Sequence, residues 1–355
     1  MRALVAMSGG VDSSVAAALM LEAGYEVVGV TLKQWVGSGG AMPTAGCCTV
    51  SDAEDARRVA AQLDIPYYVL DYVDEFTEAV VEPFGAAYLA GRTPNPCIEC
   101  NRKVRFSALL ERTTELDADV LVTGHHARVD HDDAGWHLRT AVDGTKDQSY
   151  VLHMLGQEEL SKIRLPVGEM TKAEVRRRAA AMGLRTASKP DSQDICFVTS
   201  GDYREFLTDR FPETALPGPV VDTSGEVLAE HGGITGFTIG QRRGLGIAVG
   251  EARYVVDIDP GERRVVVGTY DELLADGCLV GDVSFVAGVP PERQDVTVKV
   301  RYRSPAIPAT LHEIGDRWYI RFADRHPAPA PGQAAVIYDG ERVLGGGTIE
   351  SVVRL

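Results

Sequence analysis

Long apolar runs are missing from this sequence. No stretch of about eighteen consecutive apolar residues occurs in the 355-residue chain, which argues against a membrane-spanning helix, and MRALVAMSGG enters a glycine loop with no cleavable signal pattern before it. A cytoplasmic protein with no membrane partner is expected. Cysteine is scarce: the six at positions 47, 48, 97, 100, 196 and 278 are too few and too unevenly placed for a disulfide scaffold, so thiol chemistry or metal binding is the better default. Positive charge is in deficit. With 36 Lys and Arg against 51 Asp and Glu, the formal charge is −15, so a nucleic acid would have to be met by local basic surface. The step Gly-Lys is also lacking, which excludes the Walker pattern G-x-x-x-x-G-K-[ST].

What is present is a chain with 45% hydrophobic residues, long enough for two or three domains. RALVAM reads as a buried strand, Asp12 to Ala23 as a helix ending at Gly24, and YEVVGVTL as a second strand. Ser51 and Glu54 form a capping signature for SDAEDARRVAAQL, and PYYVLDY follows as a strand. A helix is expected from about Asn101 to Leu116, then the strand DVLVTG, then a helix capped by Thr171 and Glu174 that stops at Gly183. Strands alternating with helices predict a parallel sheet. After about residue 206 the character changes to strand-like runs, RVVVGT, CLVGDVSFV, DVTVKVRYR and RWYIRF, separated by Gly, Pro and Asp turns. ALPGPVVDTSGE marks one boundary, and a second break falls near residues 270–277.

The loop AMSGGVDSS lies between the first strand and the first helix. Such a turn aims backbone N–H groups and a helix dipole into one concavity, where phosphate is the natural guest. Gly9 and Gly10 allow close backbone approach, Ser8, Ser13 and Ser14 offer hydroxyl donors, and Asp12 could help position Mg2+. The bland alternative is a tight turn with capping serines. GLGIAVG resembles a piece of a dinucleotide fingerprint, but its strand-rich setting gives that reading little weight.

Cys97 and Cys100 in TPNPCIECNRKVRF stand directly before the expected helix, with Asn101 as its cap and Arg102, Lys103 and Arg105 nearby to favour thiolate. Cys196, between Ile195 and Phe197, is either a core thiol or a functional one, and Cys278 reads as a small buried hydrophobe. A single C-x-x-C is a weak zinc or redox signal, whereas thiolates from Cys97, Cys100 and Cys196 would suit a [4Fe-4S] cluster with one iron open. Cys47 and Cys48 read as loop thiols.

AMSGGVDSS resembles the PP-loop signature SGGxDS of the ATP pyrophosphatase superfamily, whose members split ATP into AMP and pyrophosphate and do without the Walker lysine. AMSGGVDSS, TPNPCIECN, TGHHAR, KDQSYVL, DSQDICF, GFTIGQRRGLGI and RYRSPAIP together, in order and nearly end to end, resemble the tRNA-specific 2-thiouridylase family. The resemblance implies an α/β PP-loop domain over 1–206, a small central domain over 207–273 and a C-terminal β-barrel over 274–355. It also implies ATP contacts at Ala6, Met7, Ser8, Gly9, Gly10, Val11, Asp12, Ser13, Leu32 and Gly124, and tRNA contacts at Lys146, Asp147, Gln148, Arg301 and Tyr302. Leu32 and Gly124 fall at the carboxyl ends of expected strands, where open α/β sheets bind ligands.

The implied reaction adenylates O2 of the wobble uridine and then delivers sulfur to C2. Cys196 would carry a persulfide from a sulfur-relay or cysteine desulfurase protein, and Cys100 would release the sulfur or close a transient disulfide. Many relatives have Asp where this chain has Cys97, so that Asp's role is not carried over, and Cys97 adds weight to the cluster alternative. NRKVR, VRRRAA, GQRRG and VRYR offer basic patches for tRNA phosphates, although VRRRAA is equally a solvated helix face. A monomer is expected. The rivals are a different PP-loop ATP pyrophosphatase and a metal-binding RNA module in which SGG is only a turn.

Overall fold

The computed structural model describes residues 1–36, 50–191, 195–198 and 202–355. Cys47 and Cys48 lie outside the described residues. Strand β1 (Arg2–Ala6) pairs in parallel with β2 (Glu26–Lys33) on one side and β4 (Val120–Val122) on the other, and β3 (Tyr67–Asp71) and β7 (Ile163–Arg164) complete the order β3-β2-β1-β4-β7. Alternation along β1 places Ala3 and Val5 in one apolar cluster and Leu4 in another, so both faces are covered. The chain order reverses at β1, which opens a crevice at the carboxyl ends of β1, β2 and β4.

Helix α1 (Val11–Glu22) follows β1 directly and ends at Gly24 with φ +83°. Helix α2 (Val50–Gln62) already includes Ser51, so the expected Ser51 cap is not its N-cap. The helix bearing Cys97 and Cys100 starts earlier than its sequence suggests. Pro96 occupies the first turn with its φ preset, and Asn95 caps it by accepting the Cys97 N–H at 3.1 Å. It continues from Pro96–Glu99 through a wide π-helical stretch, Cys100–Phe106, into Ser107–Glu115. Asn101 is therefore buried inside the helix, donating to the Val151 carbonyl at 2.9 Å. The Thr171–Glu174 capping box is present as expected at the start of helix Lys172–Ala181.

A hairpin, β5 (Ala127–Asp132) and β6 (Gly135–Thr140), leaves the parallel sheet and joins the C-terminal one. A small sheet follows from β8 (Gly218–Asp222), β9 (Val227–His231), β10 (Tyr254–Asp259) and β11 (Arg264–Gly268), in the order β10-β11-β8-β9. Six antiparallel strands then close a barrel in the order β12-β15-β14-β13-β16-β17-β12: β12 (Leu274–Phe285), β13 (Asp295–Lys299), β14 (Ile307–Ile314), β15 (Arg317–Pro327), β16 (Ala334–Asp339) and β17 (Arg342–Val353). The fold is thus α/β with a C-terminal β-barrel. DVTVKVRYR is strand only to Lys299; the next residues turn away, with Ser304 N–H bonded back to Arg301 O and two prolines interrupting SPAIP. That turn brings Tyr302 back toward the parallel sheet.

Candidate active site

A cavity of about 360 Å³ opens at the crevice. Ala6, Met7, Ser8 and Gly10 to Ser13 line it from the loop, Leu32 and Gly124 from the ends of β2 and β4, and Cys97, Cys100 and Cys196 from elsewhere in the chain. Gly9 lies behind this wall for a reason of its own. Its φ is +71°, and a Cβ there would sit 2.2 Å from the backbone oxygen of Asp52. Gly10 (φ −90°) is the N-cap of α1 and no side chain caps the helix, so the positive end of the dipole faces the cavity. Ser8 and Ser13 are linked, the Ser8 N–H donating to Ser13 Oγ at 3.1 Å. Ser14 does not serve as expected: it is fully buried and its hydroxyl donates to Gly10 O at 2.8 Å. Gly124 also has a packing role, since a Cβ there would meet Ser13 N at 2.6 Å.

The cation missing from the loop arrives from distant segments. Lys172 lines the cavity with its side chain 12% exposed, 2.6 Å from Asp12 Oδ2 and 2.9 Å from Asp191 Oδ1. Asp191 also pairs with Lys146 at 2.8 Å and Arg176 at 2.6 Å, so three cations surround one carboxylate. Burial raises the pKa of both Asp12 and Asp191. Hydrogen bonds from His126 and Lys172 to Asp12, and from Lys146 and Lys172 to Asp191, outweigh that effect and hold both carboxyls below their ordinary range. Lys189 braces the loop from behind, donating to Gly9 O at 3.0 Å and pairing with Asp52 and Asp55 at 2.7 Å. Both Asp12 oxygens are engaged, Oδ1 with His126 at 3.0 Å and Oδ2 with Lys172 at 2.6 Å, which leaves one further acceptor site on each.

Cys97 is exposed, Cys100 is buried and Cys196 is half-buried. Among the described residues no group of three or more His, Cys, Asp or Glu side chains is placed to hold a metal ion. The alternative of a cluster on Cys97, Cys100 and Cys196 is therefore not supported by their arrangement, although all three line the cavity. Cys278 is a buried core thiol as expected, its pKa pushed up to about 12 by burial.

His125 lies on the same wall. Arg105 can only donate, so His125 Nε2 accepts its bond at 3.3 Å and Nδ1–H donates to Thr123 Oγ1 at 2.7 Å. Burial, and then Arg105, push the His125 pKa down to about 3, leaving a neutral ring. Of the five residues expected on tRNA, Gln148 and Tyr302 line the cavity. Lys146 is paired with Asp191. Asp147 turns inward, its side chain 4% exposed, and accepts from Ser149 N–H, Ser149 Oγ and Lys299. Arg301 is exposed, yet its guanidinium donates to Ile239 O and Ala328 O and so ties the GQRRG loop to the barrel. Arg242 and Arg243 stay exposed on that loop.

Sequence reasoning assigned no role to Gln34, His126, Lys172, Lys189 or Asp191. Asp191 opens the DSQDICF segment, Lys189 lies two residues before it, and His126 is in TGHHAR. Lys172 carries no motif, being simply the first residue after a helix cap. No helix among the described residues is long and apolar enough to cross a membrane.

Residues 1–200 match the family model described as the tRNA methyl transferase HUP domain, 204–269 the tRNA methyl transferase PRC-barrel domain and 275–349 the aminomethyltransferase beta-barrel domain. The tRNA-specific 2-thiouridylase MnmA of Chloroflexus aggregans is 49% identical over 349 residues, spanning 98% of this chain and 97% of that protein. Its namesake in Moorella thermoacetica is 48% identical over 357 residues, spanning 99% and 100%. That of Geobacter metallireducens is 46% identical over 358 residues, spanning 99% and 97%.

Proposed function

Because the chain belongs to the tRNA-specific 2-thiouridylase family, we propose that it replaces O2 of the wobble uridine of tRNA with sulfur, using ATP to activate that oxygen. The observation that carries this reading is the shared cavity, where an anion-binding loop and three cysteines form one wall system. The family-model descriptions name methyl transfer and the relatives name thiolation; thiols beside the loop support the second.

The triphosphate lies along Ser8 to Ser13 at the start of α1, and Lys172 supplies the cation that a loop without Gly-Lys lacks. Magnesium, when bound, would screen the phosphate charge. Uridine O2 attacks the α-phosphorus and the α–β bond breaks, releasing pyrophosphate. The terminal sulfur of a Cys196 persulfide then attacks C2, and AMP leaves with the former O2. Cys100 thiolate next attacks the Cys196 sulfur, freeing 2-thiouridine and forming a Cys100–Cys196 disulfide that an external thiol reductant reopens. A sulfur-relay or cysteine desulfurase protein reloads Cys196, and the enzyme works as a cytoplasmic monomer. Gln148 and Tyr302 meet the target nucleotide at the mouth of the cavity, while Arg242 and Arg243 meet backbone phosphates. Asp147 supports that surface from within, while Lys146 and Arg301 brace it through Asp191 and the Ile239 carbonyl.

Purified protein, ATP, unmodified tRNA and a persulfide donor test the reading, with digested tRNA analysed by mass spectrometry. The expected products are wobble 2-thiouridine and one pyrophosphate per thiolation. Cys100→Ser and Cys196→Ser should each abolish 2-thiouridine while ATP still binds. Wild-type protein that leaves uridine unchanged overturns the assignment, and thiolation surviving both substitutions overturns the thiol roles.

A further inference from the structure

Strand β2 ends at Lys33, and the chain stays on the cavity wall for one more residue. Leu32 and Gln34 are two residues apart, the spacing that puts extended residues on one side, and both line the cavity. Gln34 is only 2% exposed, and its amide Nε2 donates to Cys100 Sγ at 3.3 Å. Burying an amide on a wall that Phe76 and Val80 also line is costly unless its polar atoms are satisfied, and an apolar residue would fill the same wall without that cost.

Cys100 itself is 5% exposed and belongs to the same apolar cluster as Leu32, Phe76, Val104 and Phe197. Such surroundings oppose a thiolate. A neutral thiol is a weak hydrogen-bond acceptor, whereas a thiolate gains the extra strength of a charge-assisted bond, so the Gln34 amide favours the charged sulfur. The position of Cys100 just after the first helical turn, where a wide π-helical stretch begins, adds the helix dipole in the same sense.

The other ionisable groups on the cavity wall are engaged differently. Asp12, Lys172 and Asp191 form one ion-pair chain. Arg105 donates to Asn101 Oδ1 and bonds neutral His125. Cys97 is near enough to Tyr302 to help raise its phenol pKa, after burial and Asp147, and Cys196 lines the wall with them. We propose that Gln34 is a positioning residue for the proposed sulfur chemistry, holding Cys100 as a thiolate through its amide N–H. The proposal rests on the reading of Cys100 as a nucleophile.

The test is the rate of iodoacetamide alkylation at Cys100, resolved by peptide mass spectrometry from pH 6 to pH 10, in wild type, Gln34→Met and Gln34→Glu. Gln34→Met keeps the length of the side chain and removes the donor. Its expected rate at pH 7 is about tenfold lower, with the profile moved to higher pH and meeting the wild type at the alkaline end. Gln34→Glu, which sets a carboxylate against the sulfur, should be slower still at pH 7. Alkylation of Cys196 should remain at the wild-type rate in Gln34→Met. A Gln34→Met profile that coincides with the wild type, or is scaled down equally at every pH, overturns the proposal. Failure of the thiolation reading is seen separately, as wild-type protein that forms no 2-thiouridine while the alkylation series still reports on Gln34.

Discussion

Gly9 and Gly10 are adjacent, yet the fold requires only one of them to be glycine, and that difference gives a test of where the nucleotide binds. Gly9 sits at φ +71°, and any Cβ would lie 2.2 Å from the Asp52 carbonyl oxygen, a backbone atom that no rotamer change can move. The left-handed conformation costs roughly 1–2 kcal/mol and a forced core contact roughly 1–3 kcal/mol, so Gly9→Ala should lose about 2–5 kcal/mol of stability. Gly10 has φ −90°, and its nearest prospective neighbour is Ser8 Oγ at 3.4 Å, an ordinary contact. Gly10→Ala should therefore stay within about 1 kcal/mol of wild type, the cost being that of a poorer helix cap. If phosphate occupies the space before α1, the methyl of Gly10→Ala intrudes on the ligand instead of the protein. ATP affinity measured by calorimetry should then fall at least about tenfold, equivalent to about 1.4 kcal/mol, with the thermal unfolding curve almost unmoved. Gly10→Ala protein that binds ATP as wild type does would place the phosphates elsewhere, and an undisturbed Gly9→Ala would refute the steric argument itself.

Lys172→Met should reduce pyrophosphate release on the order of a hundredfold, as loss of one charged donor at a transition state does; release within a few-fold of wild type would leave the loop's missing cation unexplained. Asp147→Asn should weaken folding first: it breaks the pair with Lys299 at 3.2 Å, and a lower urea midpoint with an unchanged tRNA salt dependence is the expected pattern. Stability should fall as pH is lowered from 6.5. His125 and His153 are held neutral in the fold, with pKa values pushed down by burial to about 3 and about 4, whereas unfolding restores the ordinary 6.5. The unfolded chain then binds more protons throughout that window, which removes about 3 kcal/mol for the pair between pH 6.5 and pH 5, so equal urea midpoints at pH 7 and pH 5 would contradict the neutral assignment.

Much of the parallel sheet was legible because its signals are local. An apolar run such as RALVAM, a glycine stop at Gly24 and the Thr171–Glu174 box each depend on a few neighbouring residues, and the structure has all of them. The helix start at Pro96 was missed for a local reason too. Asn95 and Asn101 are both good caps by type, and the choice is made by Pro96, whose fixed φ suits the first turn, and by Val151, which buries Asn101. The end of β13 at Lys299 was missed because VKVRYR alternates like a strand, and the prolines that divert it come only afterwards.

The electrostatics of the site were illegible for a different reason. Lys172 and Lys189 are ordinary lysines in sequence, and their significance comes from contacts to Asp12 and Gly9, 160 and 180 positions away. A conventional nucleotide loop carries its cation covalently, so the motif announces it; here the cation belongs to another helix and is already paired with carboxylates. On the proposed reading, that arrangement lets a chain with a charge of −15 take an anion without relying on a basic surface there. Lys146, Lys172 and Arg176 meet Asp12 and Asp191 on one side of the loop, and Lys189 meets Asp52 and Asp55 on the other. A triphosphate entering the cavity would compete with Asp12 and Asp191 for Lys172. Because Lys172 is mostly withdrawn from water, that exchange would be screened less by salt than contacts at exposed Arg242 and Arg243. ATP affinity should accordingly vary little between 50 and 300 mM salt while tRNA affinity falls steeply, and parallel salt slopes would mean that the nucleotide is held by surface charge instead.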